Sequence, residues 1–149
     1  MIYTSKSTED SERIGYSLAE KLHTGGILSA FIAMRGEMGV GKTAFTRGFA
    51  SYFGIKGVKS PTYSIVNEHK GADTSIFHFD MYRVESEDDL LSIGFYDYLS
   101  RRGYSIVEWS ENIDDFLPDD AIFVTISRTD DENVRTIEIR GTFNENTCI

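Results

Sequence analysis

The sequence predicts an α/β layer fold with a mixed, mainly parallel central sheet and a late antiparallel strand pair. Two patterns carry this. Helical stretches with apolar residues every three or four positions alternate with short apolar runs of strand length, the signature of helices packed on a sheet. Two late segments, 121–128 and 134–140, alternate apolar and polar residues across the turn sequence TDDEN, which reads as an antiparallel pair.

The elements follow in order. Thr8 to Leu22 reads as a helix, because Ile14, Leu18 and Leu22 recur at four-residue spacing and Ser7-x-x-Asp10 resembles a helix start. Gly25-Gly26 ends it. Ile27 to Arg35 holds the apolar run AFIAM, consistent with a buried strand. Phe45, Phe49 and Phe53 then share one helical face, read as core, and Gly54 closes that helix. Tyr63-x-Ile65 and Ile76–Phe79 read as strands, Asp88–Leu99 as a second amphipathic helix, and Ser105–Val107 as a short buried strand. No repeat, low-complexity tract or linker divides the 149 residues, so one domain over 1–149 is expected.

Composition excludes several classes. No apolar run approaches the ~20 residues needed to cross a bilayer, and the polar start MIYTSKSTEDSER has no signal-peptide core, so a cytoplasmic protein is expected. The single cysteine, Cys148, permits no disulfide framework and no thiolate metal cluster. A net charge of −9 argues against a chain that grips nucleic acid by itself, since neutralising phosphates requires clustered Lys and Arg. The acidic stretches, ESEDD among them, read as solvated surface.

The densest signal lies between the predicted AFIAM strand and the Phe45 helix. Gly36-Glu37-Met38-Gly39-Val40-Gly41-Lys42-Thr43 satisfies G-x-x-x-x-G-K-[ST] in the strand–loop–helix context that the motif requires. Such a loop turns successive backbone N–H groups onto one anion, and the new helix adds its unpaired amides and positive dipole end. The residues expected to line a nucleoside triphosphate are therefore Glu37, Met38, Gly39, Val40, Gly41, Lys42, Thr43 and Ala44. Lys42 supplies charge to the β- and γ-phosphates, and the Thr43 hydroxyl is a ligand for Mg²⁺. The fold expectation sharpens accordingly to a three-layer, P-loop NTPase-like one. A metal-ordering carboxylate is also needed, and two stand at predicted strand ends, Asp80 after IFHF and Glu108 after YSIV. Either reaches Mg²⁺ from there through water.

Other residues admit bland readings beside functional ones. In Ser60-Pro61-Thr62-Tyr63, Thr62 reads either as a switch threonine sensing the γ-phosphate or as part of a turn before a strand. His78, among large apolar neighbours, reads as a core or crevice histidine, and Trp109 as packing. A small-molecule kinase shares the loop and Asp80 but needs a basic lid, for which Arg101-Arg102 is the one hint. A GTPase-like switch needs an N-K-x-D segment, which does not occur.

Taken together, GEMGVGKTAFTRGFA, VKSPTYSIV, FHFDMYR, DDLLSIGFYDYL and IVEWSE occur in an order and spacing that resembles the TsaE (YjeE) family of bacterial P-loop ATPases, over about Thr4 to Ile113. The resemblance implies Mg·ATP binding with slow hydrolysis, and action with the TsaB and TsaD subunits, which place threonylcarbamoyl on an adenosine of tRNAs reading codons that start with A. It implies tRNA contact through those partners and no membrane association. It matches Lys42 and Thr43 to the loop lysine and the magnesium threonine, Thr62 to a switch-like threonine, and Asp80 to the Walker-B-like acid. Glu108 matches the acid near the metal, with Trp109 its neighbour. Lys42, Asp80, Glu108 and Thr62 are thereby the expected catalytic residues, and Thr43, Asp80 and Glu108 the metal-holding ones. Thr8 and Ser11 fall in the N-terminal segment assigned to the nucleotide's base end. Ala44 departs from the pattern, standing where the family usually has a second threonine.

Overall fold

A computed structural model of the chain describes residues 1–37, 39–59, 61 and 65–141. Seven strands form one sheet in the order β1-β7-β6-β2-β5-β4-β3. They are β1 (Ile2–Ser5), β2 (Ala30–Arg35), β3 (Val66–Lys70), β4 (Ser75–Asp80), β5 (Tyr104–Glu108), β6 (Ile122–Arg128) and β7 (Arg135–Arg140). The four central strands, β6, β2, β5 and β4, run parallel. The outer strands pair antiparallel: β7 on β6 as expected, then β1 on β7, and β3 on β4 at the other edge.

Among the described residues four α-helices cover the sheet: α1 (Thr8–Thr24), α2 (Lys42–Tyr52), α3 (Glu87–Ser92) and α4 (Phe95–Ser100). The start signal of α1 operates as read, with the Ser7 hydroxyl accepting from the Asp10 amide at 3.0 Å and the Asp10 carboxylate accepting from the Lys6 amide at 2.9 Å. Period-two alternation divides the core into two layers. One sheet face, with Ile32, Met34, Ile76, Tyr104, Ile106 and Val124, packs on Leu18 and Leu22 of α1 and on Phe45 and Phe49 of α2. The opposite face, with Phe31, Ala33, Phe77, Phe79 and Val107, packs on Leu90 and Phe95 of the short helices and on Ile113. The arrangement has three layers, and the Phe45/Phe49/Phe53 stripe belongs to the core.

The helices α1 and α2 approach so closely that two positions exclude any side chain. A Cβ on Gly48 would sit 1.8 Å from the Glu12 carbonyl oxygen, and one on Gly15 would sit 2.1 Å from that of Phe45. This contact seats the helix that follows the glycine loop directly against the start of α1.

Two expectations need correction. Of the strand read at Tyr63–Ile65, Tyr63 and Ser64 lie outside the described residues and Ile65 is a bend, and the strand described next to it is Val66–Lys70. The single helix read over Asp88–Leu99 is two, because Gly94 takes a left-handed φ of +73° and turns the chain between Ser92 and Phe95. Strand β1 and the 3₁₀ segment Ser110–Phe116 were not foreseen.

Candidate functional site

Because β2, β5 and β4 are neighbouring parallel strands, their carboxyl ends open on one edge of the sheet. The glycine loop leaves β2 at Gly36, whose φ of +146° only glycine adopts readily; a Cβ there would sit 2.5 Å from the Ile126 carbonyl oxygen. Gly41, also left-handed at +111°, is the N-cap of α2. The loop therefore ends where the unpaired amides of that helix begin, the geometry that suits an anion.

Lys42, only 7% exposed, folds back so that its ammonium donates to the Gly36 carbonyl at 2.8 Å and lies 4.8 Å from the centre of the Trp109 ring. Trp109 is more than packing. Its φ of +57° makes it the non-glycine residue with left-handed backbone among the described residues, and its ring also meets Tyr82, 5.0 Å away. Strained backbone of this kind persists only where neighbours hold it. Here the 3₁₀ segment does so: Ser110 donates to the Met34 carbonyl at 3.2 Å, and Asn112 to those of Met81 and Tyr82 at 2.9 and 3.2 Å. Arg35, at the end of β2, is ion-paired with Asp114 of the same segment. Three strand ends are thus tied together behind the loop.

Asp80 and Glu108 are register partners at the ends of β4 and β5. The Asp80 carboxylate accepts from the Tyr82 amide at 2.9 Å, while Glu108 is 5% exposed and stands 3.4 Å from Nε2 of the buried His78. Gly39, Gly41, Lys42, Thr43, Asp80, Glu108 and Trp109 line one cavity of about 360 Å³. Both carboxylates therefore stand with the loop lysine and threonine around one cavity.

A second cavity, about 340 Å³, shares Gly39 and Gly41 with the first and carries the crevice toward α1. It contains Thr8, Ser11, Val40 and Ala44, together with Ser5, Lys6, Asn133 and Arg135, which sequence reasoning missed. The missing signal was non-local: β1 pairs with β7, and this brings Ser5 beside the β6–β7 hairpin. The Ser11 hydroxyl lies 2.7 Å from that of Ser5 and is buried. The Val40 side chain belongs to the core, so its contribution to the crevice is its backbone. Glu37 is exposed and pairs with Arg128 at 3.3 Å. Met38 and Thr62 lie outside the described residues. Arg101 and Arg102 precede β5 at its amino end, opposite Glu108; Arg101 pairs with Glu68 at 2.7 Å and stacks over Phe77, so it forms no lid on the cavity.

This sheet order, with a glycine loop between β2 and α2 and acids on adjacent strand ends, defines a P-loop NTPase-like fold. The family is narrower: the model of the threonylcarbamoyl adenosine biosynthesis protein TsaE matches residues 5–137, and the chain belongs to that family. It is 39% identical over 131 residues to the Haemophilus influenzae tRNA threonylcarbamoyladenosine biosynthesis protein TsaE, covering 85% of this chain and 80% of that one. It is 35% identical over 119 residues to the Bacillus subtilis protein of the same name, covering 78% and 74%. The crystal structure of Bacillus subtilis YdiB superposes with a TM-score of 0.72 at 24% identity, covering 92% of this chain and 82% of that one, and supports the fold.

Proposed function

We propose that the chain is an Mg²⁺-dependent ATP-binding protein and slow ATPase that acts with TsaB and TsaD subunits in threonylcarbamoyladenosine modification of tRNAs reading codons that start with A. The observation that carries the chemistry is the gathering of Lys42, Thr43, Asp80 and Glu108 around one cavity at the carboxyl ends of parallel strands. Family membership and the names of the two relatives support the pathway.

Each residue has a physical task. The loop amides and the start of α2 bind the phosphates, and Lys42 adds a cation already desolvated by burial. The donor set fits magnesium, because a hydroxyl and two carboxylates are hard oxygen ligands. Thr43, Asp80 and Glu108 would hold the ion, and when bound it supplies charge that offsets the build-up on the phosphoryl oxygens. Asp80 is kept in place by the Tyr82 amide, and Trp109 shields the ammonium from water. Thr8 and Ser11 line the adjoining cavity, which supports the reading that they meet the nucleoside end. A net charge of −9 favours docking on protein subunits over direct tRNA binding, and no helix among the described residues is long and apolar enough to cross a membrane. A cytoplasmic site of action follows from the substrate.

The test is a pair of substitutions read by equilibrium ATP binding and by phosphate release with TsaB/TsaD present. Lys42→Ala should abolish triphosphate binding. Asp80→Ala should keep much of the binding and lose hydrolysis, as should wild-type protein in a chelator. Hydrolysis unchanged in either variant refutes the role given to that residue.

A further inference from the structure

The residues of β4 facing α1 and α2 are Ile76, His78 and Asp80, and in register beside them on β5 are Tyr104, Ile106 and Glu108. Asp80 and Glu108 lie at the strand ends, where polar groups meet the crevice. His78 does not. It sits one step below, fully buried, in a row where Ile76 and Ile106 show that an aliphatic side chain fits. Neither ring nitrogen makes a hydrogen bond among the described residues. A buried imidazole in that position demands an explanation, because an apolar residue of similar volume would avoid its desolvation.

Its surroundings supply one. The ring nitrogen Nε2 stands 3.4 Å from Oε2 of Glu108, at the outer limit of hydrogen-bond distance, and the carboxylate is itself 5% exposed. The orientation of a buried carboxylate is set by the groups around it, and His78 is one of them. Strand β4 is fixed on both sides, by β3 and by β5, so the histidine backbone provides a rigid base for that contact. The Glu108 carboxylate lines the cavity that holds Thr43 and Lys42.

We propose that His78 is a positioning residue: with its proton on Nε2 it presents a polar N–H to Glu108 Oε2 across the 3.4 Å contact and biases the carboxylate's orientation toward the cavity shared with Asp80 and Thr43. This rests on the proposed role of Glu108 in holding Mg²⁺. It adds an outer partner to that ligand, of the kind that fixes first-contact groups in other metal sites and whose loss lowers metal affinity about 10–100-fold.

Thermal unfolding with AMP-PNP at fixed concentration, titrated with Mg²⁺, tests it without measuring turnover. In His78→Phe the Mg²⁺ concentration giving half the stabilisation should rise about tenfold or more, with AMP-PNP binding in EDTA unchanged. His78→Gln, which keeps an N–H donor, should stay near wild type. In a Glu108→Gln background, His78→Phe should add no further shift of the Mg²⁺ midpoint. A purely structural histidine predicts otherwise: His78→Phe would change the unfolding temperature equally in EDTA and in Mg²⁺ and leave the midpoint alone, and that result overturns the proposal. Wild-type protein that ignores Mg²⁺ would instead sink the metal reading itself, and the His78 role with it. Should His78→Phe not fold, the wild-type chain decides alone. With three histidines in the sequence, ¹⁵N-histidine spectra resolve the His78 tautomer; a proton on Nε2 supports the assignment, and one on Nδ1 only refutes it.

Discussion

Gly48→Ala inserts one methyl group at the closest approach of α1 and α2. Its carbon would begin 1.8 Å from the Glu12 carbonyl oxygen, 2.5 Å from the carbonyl carbon and 2.6 Å from Cα. All three atoms are backbone, so no side chain can rotate away. Carbon–oxygen contacts close at about 3.3 Å, so the helices must part by roughly 1.5 Å along that line. Overpacking of a tight core typically costs about 1–3 kcal/mol and occasionally more, whereas replacing a mid-helix glycine with alanine returns about 1 kcal/mol of helix propensity. With three backbone atoms obstructed, the upper end applies, and the net loss is about 2–3 kcal/mol. For a domain of this size that is a drop of roughly 5–10 °C in unfolding temperature. The helix that moves is the one carrying Lys42 and Thr43, and the one it leaves carries Thr8 and Ser11. Nucleotide affinity should therefore fall together with stability. Scanning calorimetry and equilibrium titration measure the two. A variant as stable as wild type, or more stable as propensity alone would make it, shows that the helices do not touch at Gly48.

Three further outcomes follow from other parts of the molecule. Ala44→Thr, which places a hydroxyl at a position lining the second cavity, should tighten ATP binding about tenfold, the worth of one charge-assisted hydrogen bond; unchanged affinity by calorimetric titration rules that contact out. Asn112→Ala removes two hydrogen bonds to the segment after Asp80 and should cost about 1–2 kcal/mol of stability. It should lower hydrolysis more than ATP binding; equal losses in both would show that Asn112 supports the fold without steering Asp80. Burial, and secondarily the neighbouring His78, hold the His69 ring below its ordinary value of 6.5. The unfolded chain therefore binds a proton that the folded one resists, and stability present above pH 6.5 is lost as the pH falls below it. His69→Gln should flatten that decline in denaturant midpoints measured at a series of pH values, and an equally steep one absolves His69.

What the sequence made legible was mostly local. The loop from Gly36 to Thr43 could be read because its glycines, lysine and threonine act within eight consecutive residues. Asp80 and Glu108 could be read because each directly follows an apolar strand. Strand β1 could not, since Ile2–Ser5 is four residues long and gains its place by pairing with β7 from the far end of the chain. Strand β3, with the sequence VNEHK, is a partly exposed edge strand and lacks a clear apolar alternation. The close passage of Gly15 and Gly48 is equally hidden, because a glycine that admits a neighbouring backbone looks the same in sequence as one that merely ends a turn. Trp109 was read as packing for a related reason. Its position over Lys42 depends on a left-handed backbone and on braces from Ser110 and Asn112, none of which leaves a periodic trace.

The same alternation that builds the core also aims the chemistry. On β4 and β5 every second residue faces α1 and α2, so Ile76 and Tyr104, Ile106 with His78, and Asp80 with Glu108 form three successive rungs. Moving up the rungs, the side chains pass from Ile76 and Tyr104 to a buried histidine beside an isoleucine and then to two acids at the crevice. A one-residue slip of β4 against β5 would send Asp80 and His78 to the face occupied by Phe95 and Leu90, stranding a carboxylate among aromatic rings and driving Phe79 toward the loop. The penalty for burying that charge unpaired makes the register that places the acids beside Lys42 also the register that permits folding. Site geometry and core packing are therefore not independent in this sheet: Asp80→Asn, which removes the charge but keeps an acceptor for the Tyr82 amide, should remove chemistry while relaxing the register constraint, so that variant should be at least as stable as wild type when no nucleotide is present. A substantial loss of stability would mean that the Asp80 charge is a structural partner, and the argument that it serves the crevice would fail with it.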